Sequence, residues 1–167
     1  MAIIFDLDQT LIDSKIAEPY RPSSWSTAYS LIPKFILYEG IRTVLDFIEI
    51  NNISYAIVSS SPSTYCNNVC RHWGFRPKYI IGYHDAKRKP APDPILLALR
   101  NLNAKPENSL SFGDRDIDIL ASNAANVSSI ACLWHAENQT SLLAAKPSLV
   151  IEKPIEMLPI IKQKFKL

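Results

Sequence analysis

Little in this 167-residue chain marks it for a special class of protein. An excess of one charge is missing. The 18 Lys and Arg face 16 Asp and Glu, the formal net charge is +2, and no long basic run appears. Clustered Lys and Arg are the footprint of a nucleic-acid binder, so a nucleic-acid partner is not expected. Long apolar runs are missing too. The most apolar stretch near the middle, SLIPKFIL, is short and broken by Pro33 and Lys34, so no membrane span is expected. The N-terminus lacks a basic region followed by an apolar run and a small-residue cleavage site, so no secretory signal is expected. The three cysteines are odd in number and widely placed. They argue against a disulfide framework and for a reducing, cytoplasmic setting. Neither an internal repeat nor a low-complexity tract occurs.

What is present is a globular composition, 47% hydrophobic and 20% charged, with the length of one domain over residues 1–167. Apolar runs alternate with helical patterns along the whole chain. Strands are expected at Ala2 to Phe5, Ser54 to Val58, Tyr79 to Ile81, Ser109 to Phe112, Ser128 to Leu133 and Ser148 to Ile151. Helices are expected at Gly40 to Ile50, Pro62 to Trp73, Pro92 to Leu102 and Asp116 to Ala125. A terminal helix should follow, kinked or shortened by Pro159. This alternation implies crossover units, hence an α/β fold: a mainly parallel sheet covered on both faces by helices. In such sheets the chemistry lies beyond the carboxyl ends of the strands.

The polar residues sit where that rule places them. Asp6, Asp8 and Thr10 follow the first strand. Ser59, Ser60 and Ser61 follow the second. Gly113, Asp114 and Asp118 follow the strand that begins at Ser109. Lys89 lies in the loop before the Pro92 helix. Carboxylates, one ammonium and a group of hydroxyls therefore meet at one sheet edge. Asp6 and Asp114 offer the hard oxygen ligands that Mg²⁺ prefers. Lys89 and Ser59 offer a charge and a donor for phosphate oxygens. Phosphoryl transfer needs this kind of positioning and charge neutralisation, and a carboxylate can itself attack phosphorus.

Four segments carry a resemblance to a known family. FDLDQTLID, YAIVSSS, KRKPAPDP and SFGDRDIDI resemble, in order, the four motifs of the haloacid dehalogenase superfamily, closest to its phosphoglycolate phosphatase-like branch. The resemblance implies a Rossmann-like three-layer α/β/α sandwich and a Mg²⁺-dependent phosphatase. It implies Asp6 as nucleophile and metal ligand, and Asp8 as general acid and then base, its carbonyl also on the metal. Ser59 and the Ser60 backbone would hold phosphate, and Thr10 would support the loop of the first motif and stand with the phosphate-binding residues. Lys89 would bridge nucleophile and phosphate, and Asp114 would bind the metal. Asp118 is either an outer partner of the metal or the orienter of Lys89. An unshifted Asp titrates near about 3.9, so Asp8 must be retuned by its surroundings to act as an acid near neutrality. Members that cleave carbon–halogen bonds lack an acid there, so Asp8 implies phosphate esters.

Several residues keep two readings. Ser61, before Pro62, reads as a helix cap. Cys66 and Cys70 share a helix face and should pack there; with His72 they do not make a zinc site. His84 either reaches substrate or is a solvated loop residue. Arg115 either binds a substrate group or pairs with a nearby carboxylate. The segment from Ser14 to Glu39 is too short for the helical cap domain usual in the branch it resembles. It reads as a flap over the site, a minimal cap with Tyr20, Arg21, Trp25, Tyr29 and Lys34. Its aromatics either face the substrate or pack the flap down. A small phosphorylated metabolite is the expected substrate, with a neighbouring subunit helping to close the site in a homo-oligomer. The alternatives are a macromolecular substrate, such as a nucleic-acid end or a phosphoprotein, and a non-catalytic phosphate-binding protein.

Overall fold

The first strand is four apolar residues, all buried, as a strand needs to be when helices cover both of its faces. A computed structural model of residues 1–167 makes this strand, β1 (Ala2–Phe5), central to a six-stranded sheet. The other elements follow in chain order. A two-stranded antiparallel pair, β2 (Ile12–Asp13) and β3 (Ile36–Leu37), brackets the flap, which contains α1 (Trp25–Ser30). Then come α2 (Ile41–Ile50), β4 (Tyr55–Val58), α3 (Ser63–Trp73), β5 (Tyr79–Ile81) and α4 (Asp93–Asn101). The last part is β6 (Ser109–Gly113), α5 (Asp116–Ala124), β7 (Ser128–Cys132), α6 (Gln139–Ala144), β8 (Leu149–Ile151) and α7 (Met157–Phe165).

The large sheet has the order β5-β4-β1-β6-β7-β8 and every pairing is parallel. The chain grows outward from β1 to one side through β4 and β5, then returns to the other side through β6, β7 and β8. The reversal opens a crevice at the carboxyl ends of β1, β4 and β6. One core layer packs α2, α3 and α7 on the sheet through residues such as Val44, Leu45, Val69 and Ile161. A second layer packs α4 and α5 on the opposite face through Ile95, Leu99 and Ala121. The expected α/β/α sandwich is thus present.

Most boundaries fall within a residue or two of the sequence reading. Pro159 is a correction. It lies in the first turn of α7, where a backbone N–H has no intrahelical partner to lose, so the helix runs on to Phe165. The pair β2–β3 and the short helices α1 and α6 were not expected from the sequence. No helix is long and apolar enough to cross a membrane.

Candidate active site

The backbone turns sharply as it leaves β1. The Asp6 amide donates to the Phe112 carbonyl at 2.9 Å, so Asp6 stays tied to β6. Gln9 adopts a left-handed backbone with φ 66°, and its amide donates to the Ile12 carbonyl at 2.8 Å. The loop therefore closes on itself and presents Asp6 and Asp8 to the crevice. Thr10 is wholly buried beneath it, and its hydroxyl donates to Asp114 Oδ1 at 2.8 Å. Thr10 does not line the cleft. Its position differs from the phosphate-binding role expected of it: the hydroxyl supports Asp114.

Lys89 enters from the loop before α4. Its ammonium donates to Asp6 Oδ1 at 2.8 Å, to Asp118 Oδ1 at 2.5 Å and to the Val58 carbonyl at 3.0 Å. All three donor positions are filled, and the side chain is 4% exposed. Burial opposes its charge, but Asp118 and Asp6 outweigh that and hold its pKa above the ordinary lysine value. Asp118 Oδ2 accepts from the Arg115 amide at 3.0 Å, so both oxygens of Asp118 are engaged. Of its two readings, the geometry favours orienter of Lys89. Gly113 makes this possible, since a Cβ there would lie 2.4 Å from the Asp118 Cβ.

Asp8 has different neighbours. Ser14 Oγ donates to Asp8 Oδ1 at 2.5 Å, Arg21 Nη2 at 2.7 Å and the Tyr65 hydroxyl at 2.9 Å. Ser61 Oγ donates to Oδ2 at 2.9 Å. Two of these donors, Ser14 and Arg21, come from the flap segment. The Ser61 hydroxyl thus binds Asp8 and not a helix end, and the residue preceding α3 is Pro62. Sequence reasoning missed all four as partners of Asp8. Ser14 and Arg21 are near Asp8 in the chain, but no periodic pattern points to them. Tyr65 lies on a buried helix face and reads as core.

Asp6, Asp8, Arg21, Ser61, Lys89 and Asp114 line a cleft of about 500 Å³. Ser59 and Ser60 stand on its β4 side, and Ser59 Oγ accepts from the Ser61 amide at 3.0 Å. Glu18, Arg21 and Trp25 of the flap form one wall, and Arg115, Asp116 and Glu137 form another. Only one lining residue is hydrophobic. His84 is exposed beside Tyr83, at 4.7 Å between ring centroids, and lies outside the cleft. The flap aromatics divide: Trp25 lines the cleft and also packs on Tyr65 at 5.4 Å, while Tyr29 packs on Tyr65 at 6.0 Å. Tyr20 is exposed. Cys66 and Cys70 are buried in the core, as their shared face implied.

The donor set fits a divalent cation. One carboxylate oxygen from each of Asp6, Asp114 and Asp118 lies within 4.8 Å of the others, all three residues are buried, and Lys89 is the single cation among them. Burial, with the charges of Asp118 and Asp8 and against the pull of Lys89, pushes Asp6 up to about 7. Burial together with Asp6 and Asp118 pushes Asp114 well above the usual carboxylate range. Both shifts are led by burial, which disfavours the charged carboxylate, and the neighbouring carboxylates add to it. Asp114 gives Oδ1 to Thr10 and has Oδ2 left for such an ion.

Residues 24–132 match the model of the haloacid dehalogenase-like hydrolase family. The chain is 32% identical over 127 residues to a putative pyrophosphatase PpaX of Caldanaerobacter subterraneus, covering 74% of this chain and 58% of that protein. It is 30% identical over 131 residues to the pyrophosphatase PpaX of Oceanobacillus iheyensis, covering 77% and 61%. The chain thus spans about three-fifths of the length of these relatives. Among solved structures, a putative phosphoglycolate phosphatase of Lactobacillus plantarum superposes with a TM-score of 0.84 at 22% identity, covering 95% of this chain and 98% of that one. A putative beta-phosphoglucomutase of Thermotoga maritima gives 0.79 at 21% identity, covering 97% and 98%. With the match to the family model spanning residues 24–132, this chain belongs to the haloacid dehalogenase-like hydrolases.

Proposed function

We propose that the chain hydrolyses phosphomonoesters of small, polar metabolites, with Asp6 as nucleophile and Mg²⁺ as cofactor. The observation that carries this reading is the placement of Asp6. It lies 2.8 Å from the Lys89 ammonium, among buried carboxylates suited to a cation, with a second acidic residue, Asp8, two positions on. Asp6, Asp114 and the carbonyl of Asp8 would hold the metal, which would neutralise charge on the phosphate oxygens. Lys89 aims Asp6, favours its ionised form against the burial that opposes it, and supplies positive charge beside the incoming phosphate. Ser59 and the Ser60 backbone would bind the remaining phosphate oxygens. Asp8 protonates the leaving oxygen and later takes a proton from the attacking water.

The shape of the site supports a small substrate. A cleft of about 500 Å³ with one hydrophobic residue in its lining suits a polar leaving group. Inorganic pyrophosphate, the substrate implied by the names of the curated relatives, is an early candidate. Because the flap supplies Glu18, Arg21 and Trp25 from the same chain, we read the site as one that a neighbouring subunit is not needed to wall.

The test is Mg²⁺-dependent release of inorganic phosphate from para-nitrophenyl phosphate and from a panel of phosphorylated sugars, acids and pyrophosphate. Turnover should vanish in EDTA and in the Asp6→Asn variant. Folded protein that turns over neither a phosphoester nor pyrophosphate with Mg²⁺ would leave the non-catalytic, phosphate-binding alternative in its place.

A further inference from the structure

The four donors around Asp8 are not equivalent. Arg21 Nη2 lies 2.7 Å from Asp8 Oδ1, 2.6 Å from Ser14 Oγ and 3.0 Å from the Tyr65 hydroxyl, so its two hydrogens are shared among three acceptors. An arginine can only donate. The guanidinium stands on one side of the two hydroxyl oxygens, and their own hydrogens turn the other way, toward Asp8 Oδ1 at 2.5 and 2.9 Å. Oδ1 therefore meets the Ser14 and Tyr65 hydrogens and faces the guanidinium, which leaves no place for a proton of its own. Oδ2 meets only Ser61 at 2.9 Å. A serine hydroxyl both donates and accepts, so it can serve Oδ2 with or without a proton.

We propose that Arg21, carried by the flap, is a positioning residue for proton transfer. It directs the hydroxyls of Ser14 and Tyr65 onto Asp8 Oδ1 and leaves Oδ2 as the atom that exchanges a proton with the substrate. The placement is well fixed. The guanidinium lies over the Tyr65 ring, 5.3 Å from its centroid, and its Nε–H is buried without an acceptor. A buried unpaired N–H is unfavourable, so the Nη2 contacts and the ring must hold the group where it is. Tyr65 in turn is held by Trp25 and Tyr29 of the flap. The flap would thus replace a cap domain by aligning the proton-transfer group as well as by covering the cleft.

The steps balance as follows. As the bond between phosphorus and the leaving oxygen breaks and the bond from phosphorus to Asp6 forms, the proton on Asp8 Oδ2 passes to the leaving oxygen. Water then attacks phosphorus, its proton passes to Asp8 Oδ2, and inorganic phosphate leaves Asp6. The inference rests on the phosphatase reading above, and its test separates the two.

Wild type, Arg21→Gln, Arg21→Lys and Tyr65→Phe are compared on beta-glycerophosphate, whose alkoxide needs a proton to leave, and on para-nitrophenyl phosphate, whose phenolate does not. For Arg21→Gln, kcat/KM on the alkyl ester should fall by about ten- to hundredfold, and on the aryl ester by less than about threefold. Arg21→Lys keeps the charge without the planar fork and should fall between wild type and Arg21→Gln. Tyr65→Phe keeps the ring, so it should show the same selective loss in smaller measure even if Arg21→Gln does not fold. An equal loss on both esters, or no loss on either, overturns the role of Arg21. So does a wild type that cleaves only the aryl ester. A wild type that cleaves neither ester overturns the phosphatase reading itself.

Discussion

Thr10 Oγ1 donates to Asp114 Oδ1 at 2.8 Å across 104 positions of sequence, so a residue of the first loop aims a carboxylate of the fourth. The bond is buried and leaves Oδ2 of Asp114 as the oxygen for a metal. Thr10→Val keeps the shape and removes the donor. Because a partner behind a ligand orients it, Mg²⁺ affinity should weaken by about ten- to a hundredfold. Activity titrated against Mg²⁺ checks this. An unchanged Mg²⁺ midpoint would show that Asp114 needs no such support.

The Lys89 triad yields a second prediction. Replacing Lys89 by Met leaves the Asp6 and Asp118 carboxylates buried without their cation. Breaking a buried pair in this way costs about 3–5 kcal/mol at neutral pH. Adding Asp118→Asn removes one of the two stranded charges, so the double variant should recover about 1 kcal/mol or more of that loss while remaining inactive. Urea unfolding of wild type, both single variants and the double variant without metal measures the difference. Purely additive effects would mean that the two residues are not coupled, contrary to their 2.5 Å separation.

Much of this site was legible in the sequence, for a reason that particular residues show. Asp6, Ser59 and Asp114 each follow a short run of apolar residues, and a parallel sheet brings the ends of such runs together whatever the loops do. Lys89 was legible as a cation in the loop before the Pro92 helix, but its bridge to Asp6 was legible only by resemblance, since a loop lysine has no periodicity to aim it. The partners of Asp8 were not legible. Arg21 reaches it through the path of the flap, and Tyr65 reads as core because its ring is core and only its hydroxyl enters the site. β2, β3 and α6 were missed because two-residue strands and a six-residue helix carry no pattern. What holds α6 is the Asn138 side chain accepting from the Ser141 amide at 2.9 Å.

The buried carboxylates make stability depend on pH and metal together. Asp6 is pushed to about 7 by burial and neighbouring charge, and Asp114 is raised in the same direction. In the metal-free protein these groups bind protons more tightly when folded. Their contribution is therefore fully present below the unfolded value near about 4 and is lost as pH rises toward about 7. Lys89 is raised above an already high value, so its contribution does not change in this window. In EDTA, the melting temperature contribution of this cluster should fall between pH ~5 and pH ~8. Mg²⁺ should raise the melting temperature more at the higher pH, where no proton must first be displaced. Asp114→Asn should lose most of that response. A Mg²⁺ effect equal at both pH values would show that the cation does not bind these carboxylates.

Gly113 links the strand to the chemistry. A Cβ at this position would lie 2.4 Å from the Asp118 Cβ and 2.8 Å from its Oδ2, the oxygen that accepts from the Arg115 amide. Asp118 sits at the start of α5 and cannot retreat without dragging the helix or releasing Lys89. Gly113→Ala should therefore do two things at once. It should destabilise the fold by about 1–3 kcal/mol, the usual cost of overpacking. It should also lower kcat further than Asp118→Asn, because it moves the carboxylate and does not merely neutralise it. Thermal melts and phosphate-release kinetics on the two variants, side by side, decide the point. If Gly113→Ala melts normally and turns over like wild type, α5 has more room to move than the packing around Asp118 indicates, and the fixed placement of Lys89 does not depend on the glycine.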